Sequence, residues 1–256
     1  MTASEATAVT WVGHASALIE LDGVRFLTDP LLTKRVAHLR RRVGTPPADT
    51  AEVDAVLISH LHLDHLHLPS LKLIARSTTV IAPRGAGQLL RRAGFVDVVE
   101  LVVGGHTSVG GVVVTAVPAE HHEGRGPHSR ARAEPLGFVL SGEHTRVYFP
   151  GDTDLTEAMR DLGPIDVALL PIWGWGPSLG PGHLDPSGAA AATARIEPRL
   201  VVPIHWGTYA PENARRLPGG WFDRPLSTFE LALDEHDRRD RLHALAPGET
   251  VTVLPS

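Results

Sequence analysis

The segment Asp54 to Ser59 (DAVLIS) runs straight into His60-Leu61-His62-Leu63-Asp64-His65, and no other feature of the chain constrains its fold as strongly. A short, continuous apolar run suits a strand covered on both faces, as in a parallel sheet flanked by helices. In extended backbone His60 and His62 point the same way, because side chains alternate with period two. A turn or helix after them swings Asp64 and His65 to a neighbouring direction. Four ligand-type side chains within six residues can start two adjacent metal centres. Imidazole nitrogen and carboxylate oxygen suit zinc, and also manganese or iron. The competing reading is a polar loop with chance histidines, but even with 15 histidines in 256 residues, three in six is uncommon by accident. His67 continues the alternation beyond the core motif and reads as a surface or supporting residue.

Short strands are expected at Val9 to Val12, Ala15 to Leu21 and Val24 to Thr28, with Asp22-Gly23 as a hairpin turn. The basic, then proline-rich stretch 33–50 reads as an excursion over the surface or near the site. Further strands are expected at Thr79 to Ala82, Val98 to Val102, Val112 to Val117, Val167 to Leu170, Leu200 to Ile204 and Thr250 to Leu254. Gly137 to Leu140 and Arg146 to Phe149 form a hairpin. Helices are expected at 69–75, 86–93, 155–162 behind Asp154 as N-cap, 228–236, and from Asp185-Pro186 to about Ile196. In the last case the aspartate accepts free N–H groups and proline fits the first turn. Segments 121–135 and 171–183 read as loops. Strands and helices alternate with no low-complexity linker, so the expectation is a layered α/β architecture in one domain, residues 1–256.

Composition excludes several classes. With 24 basic and 29 acidic residues, the net charge of −5 gives no footprint for nucleic acid. The absence of cysteine removes disulfides, thiolate zinc sites and cysteine nucleophiles. MTASEATAVT lacks the basic start and apolar core of a signal peptide, and no apolar run approaches the roughly 20 residues of a membrane span. The expected location is the cytoplasm.

The six-residue motif resembles the signature of the metallo-β-lactamase-fold hydrolases. Trp11-Val12-Gly13-His14-Ala15 followed by Phe26-Leu27-Thr28-Asp29-Pro30 looks like the opening of the branch that contains ascorbate-6-phosphate lactonase and the N-acyl-phosphatidylethanolamine phospholipase D enzymes. Pro118-Ala119-Glu120-His121 with Arg125, Tyr148-Phe149-Pro150-Gly151-Asp152-Thr153, His183 before Asp185-Pro186, and Pro203-Ile204-His205-Trp206-Gly207-Thr208 are similar to its later elements, in order. The resemblance implies a four-layer αββα sandwich and a hydrolase with two divalent metal ions, zinc by expectation, with manganese or iron as alternatives.

For the first ion, His60 and His62 need a third partner. His121 and His122 both follow a strand; the family pattern places the ligand three residues after the proline, which selects His121, with His122 as the alternative. Asp64, His65 and His205 serve the second ion, and Asp152 can bridge both. Taken alone, Asp152 also reads as a turn aspartate and His205 as a buried structural histidine. Two cations lower the pKa of a bridging water, and the resulting hydroxide attacks a carbonyl or phosphorus centre. Asp64 orients that nucleophile as well as ligating.

His183 is the candidate for a catalytic residue that is not a ligand, donating a proton to the leaving group or bonding a substrate oxygen; its alternative is a helix-flanking histidine. His14 reads as a supporting or structural residue. Arg125 and Arg132 either meet a substrate phosphate or carboxylate or are simply solvated. Trp173, Trp175, Trp206 and Tyr209 either wall a pocket or pack in the core. The leading function is hydrolysis of a small ester, lactone or phosphodiester. The alternatives are a phospholipase D-like activity on phospholipids and a metal-binding relative without turnover.

Overall fold

The computed structural model describes residues 6–126, 129–212 and 221–254. One sheet takes β1 (Thr7–Gly13), β2 (Ser16–Leu21), β3 (Val24–Thr28), β6 (Ala55–Leu57), β7 (Thr79–Pro83), β8 (Val98–Leu101) and β16 (Thr250–Val253), in the order β16-β1-β2-β3-β6-β7-β8. The second takes β9 (His106–Val109), β10 (Val112–Pro118), β11 (Leu136–Ser141), β12 (Arg146–Phe149), β13 (Val167–Pro171) and β14 (Leu200–Ile204), in the order β14-β13-β12-β11-β10-β9. In both, hairpin-linked antiparallel strands give way to parallel ones, β3-β6-β7-β8 in the first and β12-β13-β14 in the second.

Alternation along the strands stacks the two sheets. Ile19, Phe26 and Leu57 from the first meet Phe138, Phe149 and Leu169 from the second in one apolar layer. The opposite faces of the same strands carry Leu18, Leu27 and Val56, which pack under α1 (Leu68–Leu71) and α2 (Gly87–Arg92). On the far side Tyr148, Leu170 and Val201 pack under α3 (Pro186–Ile196) and α4 (Arg224–Glu235). The parallel strand β6 thus buries both faces, which is why DAVLIS reads as a continuous apolar run. The result is the expected four-layer αββα arrangement.

Asp22 and Gly23 close the β2–β3 hairpin with φ of 51° and 77°, the left-handed pair such a two-residue turn requires. Asp185 caps α3 as expected: its Oδ1 accepts from the Gly188 N–H at 2.7 Å.

Several expectations need correcting. The stretch 33–50 is no simple excursion: β4 (Arg35–Val36) and β5 (Leu39–Arg41) pair with β15 (Tyr209–Pro211) in a third, small sheet. Val36, Leu39 and Tyr209 bury against Leu31 there, a long-range packing that local pattern does not announce. The expected helix at 155–162 is a 3-10 turn over Glu157–Leu162, and Asp154 turns its carboxylate onto the next N–H, that of Leu155, at 2.8 Å instead of capping. The helix expected over 69–75 is one turn long, and α4 begins four residues before the expected 228. Of the segment 121–135 read as a loop, 127–128 lie outside the described residues.

Candidate metal centre

The site forms where β6, β10, β12 and β14 end. After β6 the chain stays extended through His60 and then turns, with His65 N–H and Leu66 N–H donating to His62 O at 3.2 and 2.9 Å. Arg125 clasps this turn from outside; its Nη1 donates to Leu61 O at 2.9 Å and Leu66 O at 3.1 Å. One nitrogen of its guanidinium is thus engaged by the loop, while the residue stays part-exposed. After β12 the chain bends at Gly151 (φ 65°), where a Cβ would overlap Ser59, so only glycine lets the two loops meet.

Most of the histidines here are anchored by one nitrogen and bare at the other. Ser59 Oγ donates to Asp29 Oδ2, so it accepts from His60 Nδ1 at 2.9 Å. His65 Nδ1 donates to Asp29 Oδ2 at 2.7 Å. His121 Nδ1 donates to Gly182 O at 2.7 Å, and His205 Nδ1 to Trp173 O at 3.1 Å. Anchors of this kind fix tautomer and ring angle, leaving a lone pair inward.

The inward atoms fall into two groups. His60, His62 and His121 make one; His14, Asp64, His65 and His205 make the other, and two further sets, Asp29 with His60 and His65, and His121 with Asp152 and His183, overlap them, all ligand atoms of each set lying within 4.8 Å of one another. His62 Nδ1 and His121 Nε2 are 3.0 Å apart, and His65 Nε2 and His205 Nε2 are 3.1 Å apart. Bare nitrogens this close repel unless a proton or cation lies between them, and a tetrahedral ion with bonds near 2.0 Å sets its donors about 3.3 Å apart. Asp152 stands between the groups: Oδ2 is 3.2 Å from His65 Nε2 and Oδ1 is 3.3 Å from His205 Nε2. His60 Nε2 and Asp152 Oδ1 are buried with no hydrogen-bond partner among the described residues. Orphaned buried acceptors converging with so many imidazoles fit a divalent cation, because leaving them unpaired costs about 1–3 kcal/mol each.

Electrostatics agree. Burial drives His62 down to about 4 and His205 to about 3, and lowers His60 well below 6.5, so these rings are neutral donors at pH 7. Burial also opposes charge on His65, but Asp152, Asp64 and Asp29 outweigh it and raise its pKa. Burial favours the neutral acid at Asp152, yet His205 and His65 hold it ionised, well below the usual carboxylate range.

The structure therefore gathers His60, His62, Asp64, His65, His121, Asp152 and His205 in one place. His183 joins them, its Nε2 3.5 Å from Asp152 Oδ2 and its Nδ1 held by Gly180 O at 3.1 Å. Of the ambiguous pair, His121 faces the centre and His122 is exposed on the wall of an outer cavity of about 680 Å³ that Arg132 also lines. Trp206 stacks on Trp11 with centroids 5.5 Å apart, and Tyr209 donates to Leu31 O at 3.1 Å, so both pack rather than wall a pocket. Trp175 remains exposed, edge-on to His38. His67 is buried and bonded to Ser70 Oγ at 2.8 Å, so it is no surface residue. Three residues were not singled out from sequence: Asp29 and Ser59, which anchor His65 and His60, and Thr208, which holds the backbone of His14. Asp29 and Thr208 carried a signal, through the Asp29-Pro30 and Pro203-Ile204-His205-Trp206-Gly207-Thr208 elements.

Comparison with known proteins places this geometry. Residues 24–206 match the family model described as the beta-lactamase superfamily domain. A UPF0173 metal-dependent hydrolase of Methanopyrus kandleri is 35% identical over 94% of this chain and 98% of its own length. An N-acyl-phosphatidylethanolamine-hydrolyzing phospholipase D of Caenorhabditis elegans is 28% identical over 91% of this chain and 68% of its own. An uncharacterized protein of Mycobacterium tuberculosis is 33% identical over 90% of this chain, which spans 65% of that relative's length. Among solved structures, the metallo hydrolase Igni18 of Ignicoccus hospitalis shares the fold, with TM-score 0.73 and 24% identity over 97% of this chain and 98% of that one. The chain belongs to the metallo-β-lactamase superfamily. Within it, the chain is similar to proteins named metal-dependent hydrolases.

Proposed function

We propose that the protein is a binuclear hydrolase acting on a small ester, lactone or phosphodiester. His60, His62 and His121 hold one ion, Asp64, His65 and His205 the other, and Asp152 both; zinc suits the nitrogen-rich set, with manganese or iron as alternatives. The reading rests on one observation: buried, partnerless His60 Nε2 and Asp152 Oδ1 converge with bare imidazole nitrogens 3.0–3.1 Å apart. When bound, the two ions supply an acidified water and a Lewis acid for the scissile oxygen.

The chain's own groups do the rest. Asp64, 15% exposed at its side chain, accepts a proton from the attacking water while holding it in line. His183 is more accessible, at 23%, and its Nδ1–H is spent on backbone carbonyls, so its Nε2, 3.5 Å from Asp152 Oδ2, is the nitrogen that carries a proton to a departing oxygen once protonated. Asp29 and Ser59 keep the inner rings aimed. The Caenorhabditis elegans relative favours a phosphodiester, including a phospholipid one, among the candidate substrates. The rest of the proposal is a single-domain cytoplasmic protein that meets a small-molecule substrate and no nucleic acid; among the described residues no helix is long and apolar enough to cross a membrane. The test is turnover of a panel containing phosphodiesters, lactones and a phospholipid by metal-analysed protein. Turnover of one class that chelator abolishes and metal restores supports the reading. No turnover of any member by fully loaded protein favours the metal-binding relative without activity.

A further inference from the structure

His14 stands apart from the other imidazoles. Its side chain is 1% exposed, and its Nε2 lies 2.8 Å from Asp64 Oδ2. This is its only side-chain hydrogen bond among the described residues. At His60, His65, His121 and His205 the Nδ1 proton goes to an outer acceptor, which leaves Nε2 bare for a cation. His14 Nδ1 has no such acceptor among the described residues. An imidazole whose one polar partner is a carboxylate carries a proton on the nitrogen that faces it, because the N–H···O⁻ bond is charge-assisted. Nε2 of His14 is then a donor with no lone pair for a metal.

We propose that His14 is a positioning residue: its Nε2–H holds Asp64 Oδ2 so that Asp64, and not His14, serves the second ion and its water. The proposal rests on the binuclear reading. The backbone is built for the role. His14 has φ 56°, a left-handed conformation that a non-glycine residue adopts at a cost. Three contacts hold it there. Its N–H donates to Thr208 Oγ1 at 2.9 Å, and its carbonyl accepts from Trp11 Nε1 at 2.9 Å and His205 N–H at 2.8 Å. The ring packs on His205 with centroids 3.9 Å apart and edge-on to Tyr209 at 5.6 Å. The turn after β1 is therefore tied to the loop after β14, and in this pose the ring reaches Asp64.

The test is nitrogen-15 NMR of histidine-labelled protein loaded with cadmium-113. Metal–nitrogen coupling is expected at His60, His62, His65, His121 and His205, while His14 shows none and carries its proton on Nε2. Coupling to His14 makes it a ligand and overturns the proposal without touching the binuclear reading. Protein that binds no cadmium overturns both. A variant pair gives a second readout: His14→Gln restores an N–H near the Nε2 position, whereas His14→Gly removes it and relieves the positive φ. Affinity for the second ion should fall about 10- to 100-fold in His14→Gly and within about threefold of wild type in His14→Gln. Equal losses in the two variants contradict the donor role.

Discussion

Asp29 Oδ2 accepts a hydrogen bond from His65 Nδ1 at 2.7 Å, with both side chains fully buried. The same carboxylate receives Ser59 N–H at 2.8 Å, and through Ser59 Oγ it steadies His60. One aspartate thus orients a histidine of each candidate centre. Asp29→Asn puts an amide N–H₂ where only acceptors fit. Metal affinity should fall about 10- to 100-fold, measured by competition with a chromophoric chelator. Unchanged affinity would mean that the rings are aimed by packing alone.

Arg125 should matter without touching substrate. Its two bonds to Leu61 O and Leu66 O bracket the turn that presents His62, Asp64 and His65. Arg125→Met leaves both carbonyls without this donor and should lower stability by about 1–3 kcal/mol in chemical denaturation. It should also weaken metal uptake. A variant with normal stability and normal metal uptake, but raised KM for anionic substrates alone, would return Arg125 to the role of a substrate contact.

The metal-free protein should lose stability as pH falls from about 6.5 toward 4. His62 and His205 titrate near 4 and 3 in the folded state, and His60 well below 6.5, so in this window the unfolded chain binds more protons than the native one. Each such histidine contributes a slope of up to about 1.4 kcal/mol per pH unit. His65 works in the opposite sense: its raised pKa gives stability that is present below 6.5 and lost as pH rises through the folded value. Melting temperature across this range is the measurement; a flat profile would mean that the inward rings are solvated and not desolvated.

His183→Ala should keep the full metal content and lose about 100- to 10,000-fold in turnover where the leaving group is poor. The loss should shrink for nitrophenolate, which leaves without a proton. Its Nε2 stands 3.5 Å from Asp152 Oδ2, so a variant that sheds an ion would make His183 a ligand.

In the candidate centre, His60 to His65 were legible because ligand chemistry is local and the motif sits directly after an apolar strand run; Asp152 and His205, which taken alone read as a turn aspartate and a structural histidine, were singled out by their resemblance to the family's elements. What escaped was relational. That Asp29 supports His65 depends on a contact 36 residues away in sequence, and Arg125 reads the same whether it meets phosphate or two carbonyls. The pairing of β5 with β15 spans still more of the chain, and Asp154 chose its neighbour's N–H over a helix that never formed.

Metal stoichiometry tests the central claim most directly. Protein purified without chelator, or reconstituted and desalted, should carry about two divalent ions per chain by elemental analysis, because seven donor side chains can hold two ions that share Asp152 while each keeps a position for water. Loading should also raise the melting temperature. A well-folded preparation that takes up no ion after reconstitution would contradict the account.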